Sequence, residues 1–189
     1  MKHLYKEPPK LIFKRAPTLR NQLVRSYTPA DRNHTFLDDI PDGNYKCGNC
    51  AQCRYTKKTK TYKHPHSGKI MKVRGVISCE STFCIYTICC PCGLTYVGCT
   101  TRSLRTRISE HRSNIRCGKI ERNPVAAHFQ AASHNLCYLQ YMGIELVPKP
   151  PRGGDHKRLL LQRETYYIHL LNSMSPNGLN LEFDIKPFL

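Results

Sequence analysis

The sequence predicts an α+β domain whose elements run β-β-α-α-β-α, preceded by a small Cys-rich module and a basic leading segment. Three observations predict it. Two short β-forming runs, residues 83–88 and 94–98, flank the turn Cys89-Cys90-Pro91-Cys92-Gly93. Three later segments repeat apolar residues at helical spacing or open on helix-start signals. Upstream of all of them, the apolar content drops and cysteines cluster.

Residues 1–46 are polar, basic and punctuated by Pro8, Pro9, Pro17, Pro29 and Pro41, which reads as a linker. One short helix is expected at 18–25, where Thr18 can cap and Leu19, Leu23 and Val24 share a face. Residues 47–80 form the Cys-rich module, too small and too polar for a core of its own and in need of a staple. Residues 81–189 form the main domain. Within it, 101–116 is helical because Leu104, Ile108 and Ile115 fall on one stripe. Asn123-Pro124 supplies a cap and a first-turn proline for a helix to about 132. Residues 138–147 alternate as a strand, Gly153-Gly154-Asp155 opens a helix over 155–172, and Pro176-Asn177-Gly178 is a turn.

The chain has 30 Lys+Arg against 13 Asp+Glu, a formal net charge of +17 over 189 residues. Residues 1–80 hold 17 basic and 6 acidic side chains, and residues 81–189 hold 13 and 7. An excess of that size gives salt-dependent affinity for polyanions, with nucleic acid expected to meet both halves. A solvated basic tail is the plainer reading of the same charge. No apolar run approaches the roughly 18 residues that span a bilayer, so no membrane partner is expected. Met1-Lys2-His3-Leu4-Tyr5-Lys6 leads straight into Pro8-Pro9 without a hydrophobic signal segment. An intracellular, reducing compartment is therefore expected, where clustered cysteines are metal ligands rather than disulfides.

Eleven cysteines are present. Cys47-x-x-Cys50-x-x-Cys53 with Cys79 downstream offers four thiolates suited to tetrahedral zinc, with His64 or His66 as alternatives to Cys79. The triplet also resembles part of an iron–sulfur run, but the fourth close cysteine is missing and zinc is favoured. A second set joins Cys90 and Cys92 in the strand turn to His128 and His134, with Cys89 as an alternative to Cys90. Zinc there would pin the turn to the second helix. Two structural zinc ions are expected. Cys84, Cys99, Cys117 and Cys137 read as small residues without a role.

Glu164 falls in the centre of the apolar stripe Leu160, Leu161, Tyr167, Ile168 and Leu171. A carboxylate on a buried face is costly unless paired or metal-bound. Arg107 and His111 likewise lie on the stripe of Leu104, Ile108 and Ile115. Arg107 can neutralise Glu164 in the core, or both can face a cleft beside Tyr86 and Tyr96, themselves ordinary strand aromatics when read alone.

Cys84-Ile85-Tyr86, Tyr96-Val97-Gly98-x-Thr100, Leu104-x-x-Arg107-x-x-x-His111, Glu164 and Asn180 occur in an order that resembles the GIY-YIG nuclease superfamily. Cys90-Pro91-Cys92-Gly93, Val125-Ala126-Ala127-His128-Phe129, Arg152-Gly153-Gly154-Asp155, Leu160-Leu161-Gln162-Arg163-Glu164 and Gly178-Leu179-Asn180 look like the endonuclease of Penelope-like retroelements. Residues 13–26 look like the connector that joins reverse transcriptase to nuclease in those elements. Cys84 stands where the superfamily has its first glycine, and Cys99 where lysine is common.

The resemblance implies a small three-stranded antiparallel sheet flanked by helices and a divalent-metal-dependent DNA endonuclease that nicks one strand. It implies Glu164 as ligand to Mg²⁺ (or Mn²⁺) and Tyr86 as the group taking a proton from water, with Tyr96 and His111 in support. Arg107 would neutralise the phosphoryl oxygens and Asn180 would brace the site. An ordinary tyrosine, with a pKa near 10, is a poor base at pH 7, so a nearby cation is required. DNA is the implied partner, with a reverse transcriptase domain in the same or a parent polyprotein, nuclear localisation, and target-primed reverse transcription as the task. The alternative is a zinc-stabilised nucleic-acid-binding protein whose nuclease domain is inactive.

Overall fold

A computed structural model describes residues 40–48, 50–121, 123–151, 153–182 and 186–188. The helix expected at 18–25 and the connector-like stretch lie outside the described residues. Among those described, the chain is mixed α+β, with three α-helices, small sheets and a Cys-rich cluster.

The central sheet has three antiparallel strands in the order β6-β5-β7: β5 is Cys84–Cys89, β6 is Thr95–Thr100 and β7 is Gln140–Leu146. The first strand of the expected pair thus sits in the middle, buried along nearly its whole length. Its apolar side chains divide between two cores by the two-residue period of a strand. Tyr86 and Ile88 face α1 (Leu104–Arg116) and α2 (Pro124–Ala131), packing with Leu104, Ile108, Val125 and Phe129. Ile85, with Val97 of β6, faces α3 (His156–Leu170) and packs with Leu160, Tyr167 and Ile168.

The helices begin where local chemistry stops the preceding chain. Asn123 caps α2, its Oδ1 accepting from Ala126 N at 3.2 Å, with Pro124 in the first turn. Asp155 caps α3 by accepting from Lys157 N at 2.8 Å. Helix α1 starts three residues later than periodicity suggests. Its first N–H groups are taken by backbone carbonyls: Leu104 N donates to Ser81 O at 2.9 Å and Arg105 N to Cys79 O at 2.8 Å. Strand β7 is preceded by a 3₁₀ turn at Leu136–Tyr138.

Upstream, β1 (Gly43–Asn44) pairs in parallel with β4 (Val76–Ile77), and β2 (Thr61–Lys63) pairs with β3 (Ile70–Lys72) as a hairpin. These short strands are unanticipated, including β1 inside the stretch read as linker. They cover the outer edge of β7: Arg74 N donates to Ile144 O at 2.9 Å, and Lys57 N to Tyr141 O at 3.2 Å. No described helix is long and apolar enough to cross a membrane.

Candidate functional site

Tyr86 occupies the middle of the middle strand, and its cross-strand partners on both sides are glycines, Gly98 on β6 and Gly143 on β7. Directly opposed side chains on one sheet face are close enough to crowd each other. The Tyr86 ring therefore lies over Gly98. A Cβ there would stand 2.7 Å from Tyr86 Oη and 2.8 Å from Tyr96 Cε1. At Gly143 the vacant space is filled by Ile77, which a Cβ would collide with.

Helix α1 brings its polar groups onto this phenol. Arg107 Nε donates to Tyr86 Oη at 3.0 Å, and His111 Nε2 lies 2.8 Å from the same oxygen. The rings of Tyr86 and Tyr96 are 6.5 Å apart, and that of Tyr96 is 5.6 Å from His111. Tyr86 and His111 are buried, whereas Tyr96 and Arg107 are half-buried. Glu110, one turn on, accepts from Arg107 Nη1 at 3.2 Å and pairs with Arg102 at 2.7 Å, so it fixes the guanidinium. The Arg-x-x-Glu spacing that predicts this pair was legible but unread.

Glu164 reaches the site round the sheet edge. Strand β6 is an edge strand, so the N–H groups of Val97 and Cys99 have no strand partner. Glu164 Oε1 accepts from Cys99 N at 2.9 Å, and its Oε2 accepts from the Cys99 thiol at 3.1 Å. Asn180 closes the next position in both directions: its Oδ1 accepts from Val97 N at 2.9 Å and its Nδ2 donates to Val97 O at 2.8 Å. The ion pair between Arg107 and Glu164 considered from the sequence is not formed. Among the described residues no cation lies within pairing distance of Glu164. Cys99, read as a residue without a role, is Glu164's hydrogen-bond partner.

Electrostatics follow from burial. Burial raises Glu164 above the usual carboxylate range against the opposing pull of its Cys99 hydrogen bonds and Arg107. It drives His111 down to about 3, reinforced by Arg107, so the imidazole is neutral at physiological pH. His111 Nδ1 is buried without a partner among the described residues. An unpaired acceptor is more readily tolerated than an unpaired N–H, which favours the proton on Nε2, aimed at Tyr86. Burial pushes the Tyr86 phenol well above its ordinary value, with Tyr96 adding to the rise and Arg107 opposing it. Arg107 is thus close enough to favour tyrosinate, yet outweighed.

Two further clusters flank these groups, and both could hold zinc. Cys47, Cys50, Cys53 and Cys79 converge, with Sγ–Sγ distances of 3.4, 3.4 and 3.6 Å to Cys53. Tetrahedral zinc–thiolate geometry requires about 3.8 Å, so the donor set fits. His64 is elsewhere, bonded to Leu170 O at 3.0 Å, and Cys79 is the fourth member of the group that could hold the ion. Arg112 docks this cluster onto α1, donating to Gln52 Oε1 and Tyr55 Oη at 3.0 Å each. Cys79 also lies 3.3 Å from Tyr141 Oη on β7.

The second cluster joins Cys90, Cys92, His128 and His134. His128 Nε2 is 3.0 Å from Cys90 Sγ and 3.3 Å from Cys92 Sγ, while His134 Nε2 is buried with no partner among the described residues. A cation would satisfy that nitrogen. Cys89 is outside the cluster, beside Tyr62, so Cys90 is the one of the pair placed to bind a metal. Zinc here would tie the β5–β6 turn to α2. Cys117 and Cys137 are exposed and Cys84 is buried in the core.

Compared with known proteins, the chain matches no family model, no curated protein and no solved structure.

Proposed function

We propose that this chain is a metal-dependent DNA endonuclease of GIY-YIG type that nicks one strand, akin to the nuclease of Penelope-like retroelements. The observation that carries the reading is the convergence of Tyr86, Tyr96, Arg107 and His111 on one patch of sheet. Glu164 is held one residue away on β6 and is close enough to perturb both phenols. Structural packing explains each residue singly; it does not explain why a neutral imidazole and a guanidinium share one buried phenol.

Glu164 is a half-buried carboxylate with no cation in pairing distance among the described residues, and a single carboxylate suits Mg²⁺, which binds through few protein ligands and keeps several waters. When bound, Mg²⁺ (or Mn²⁺) would polarise the scissile phosphodiester and stabilise the leaving 3′ oxygen. The protein's own groups do the rest. Arg107, anchored by Glu110 and only half-buried, would offer its guanidinium to the phosphoryl oxygens. His111 and Arg107 direct donors at Tyr86 Oη, which lowers the work of forming the phenolate that takes water's proton. Tyr96 completes the wall, and Asn180 holds β6 in place beneath it. The net charge of +17 supports a polyanionic substrate. The same reading proposes nuclear work alongside a reverse transcriptase domain, opening target DNA to supply a 3′ end for copying.

Supercoiled plasmid with Mg²⁺ tests it: wild-type chain yields open circles and Glu164→Ala does not. If both bind DNA equally and neither nicks, the zinc-stabilised binding protein is the correct description.

A further inference from the structure

A second feature lies beside α3. Between the β2–β3 hairpin and the C-terminal half of α3 runs a cleft of about 720 Å³. Its walls carry Lys60, Lys69, Lys72 and Arg74, all exposed, against one acidic residue, Asp42. Among the described residues the three lysines have no ion-pair partner, and Arg74 reaches Glu145 only at 3.9 Å. Cations left unpaired around a concave surface attract a polyanion. The floor is different in kind, with Met71, Val73 and Leu170. At its side Tyr166 is 43% exposed, with the Arg163 guanidinium 4.6 Å from its ring centre.

We infer that this cleft holds single-stranded DNA, its lysines tracking the phosphates and Tyr166 stacking on a base. A duplex presents mainly sugar and phosphate to a wall of this kind and would leave the apolar floor and the aromatic ring unused. A single strand offers bases to them, and stacking on aromatic rings is the sequence-tolerant way such strands are gripped. The choice of DNA rests on the nicking reading above. Helix α3 joins the two sites: Tyr167, which lines the cleft, is one turn beyond Glu164. A strand freed at the nick therefore has a basic, aromatic track leading away along the same helix.

The test uses the full chain carrying Glu164→Ala, so binding is read without cleavage and the outcome does not depend on whether the wild type nicks. Fluorescence anisotropy is measured with a labelled oligothymidine, an RNA of matching length and a blunt DNA duplex. Replacing Lys60, Lys69 and Lys72 with alanine should reduce the slope of log affinity against log salt by about 2 for the single strand, at roughly 0.7 for each phosphate no longer neutralised. Tyr166→Ala should weaken single-strand binding roughly tenfold and duplex binding less than twofold, while Tyr166→Phe retains both. Thermal melts check that each variant is folded. Unchanged single-strand affinity in both alanine variants, equal losses for duplex and single strand, or tighter binding of RNA than DNA would overturn the inference.

Discussion

Asn180 and Glu164 both satisfy the free edge of β6, so each has a structural duty that measurement can separate from chemistry. Asn180→Ala leaves the buried Val97 N–H and C=O unpaired. An unmade buried hydrogen bond costs about 1–3 kcal/mol, and urea unfolding should register a loss in that range. Glu164→Gln keeps most of the edge contact and should leave the urea midpoint nearly unchanged while abolishing nicking. His111 governs the acid limb of stability. Its folded pKa, about 3, lies below the ordinary 6.5, so the unfolded chain binds more protons between those values. Stability from this group is present above pH 6.5 and lost as pH falls toward 3, by up to about 1.4 kcal/mol per pH unit. Glu164, raised above its ordinary value, works the opposite way around the carboxylate range. Melting temperatures from pH 4 to 7.5 should therefore rise more steeply for wild type than for His111→Asn; equal slopes would remove His111 from this role. Because the Tyr86 phenol is held protonated, nicking should accelerate with pH from 6 to 9.

At the scale of elements, the two glycines flanking Tyr86 decide whether the phenols can share one patch. Gly98→Ala drives a methyl into both rings. Overpacking of this kind costs roughly 1–3 kcal/mol, and here it should also push Tyr96 away from Tyr86 and suppress nicking beyond the stability loss. Zinc in the two clusters would fix the neighbouring elements. Metal analysis should find two zinc ions per chain, Cys53→Ser and His134→Ala each removing one. The first loss should free residues 43–79 from α1 and expose their amides to hydrogen exchange; the second should loosen only the β5–β6 turn and α2. The main strands and helices were legible because each is long enough to show a period or a cap, as at Asn123-Pro124 and Asp155. Strands of two or three residues, such as Gly43–Asn44, show no period, and their pairing is settled by Ile77 and Val73 entering a core that lies far along the chain. Ligand choice was open for a related reason: Cys79 and Cys90 are selected over His64 and Cys89 by where the backbone carries them.

For the molecule as a whole, the charge of +17 suits a polyanionic partner, and the two Cys/His clusters that could hold zinc would brace the elements they join. Duplex affinity should fall steeply with salt, each neutralised phosphate adding about 0.9 to the log–log slope, and Glu164→Ala should leave that slope untouched. The identity of the polar groups was legible in the sequence, since carboxylate, guanidinium and imidazole all lay on apolar faces. Their partners were not. Glu164 engages Cys99 rather than Arg107, and Arg107 engages Tyr86 and Glu110, because α3 meets the edge strand while α1 crosses the opposite face. The proposed nicking requires these groups to act as one phosphodiester-cleaving unit. Single-turnover nicking in Mg²⁺ by wild type, Arg107→Ala, Glu164→Ala and the double variant separates a unit from independent parts. Losses of at least about 10²-fold are expected for each single variant, with no further loss in the double. Absence of Mg²⁺-dependent nicking by the wild-type chain, or losses that simply multiply, would contradict it.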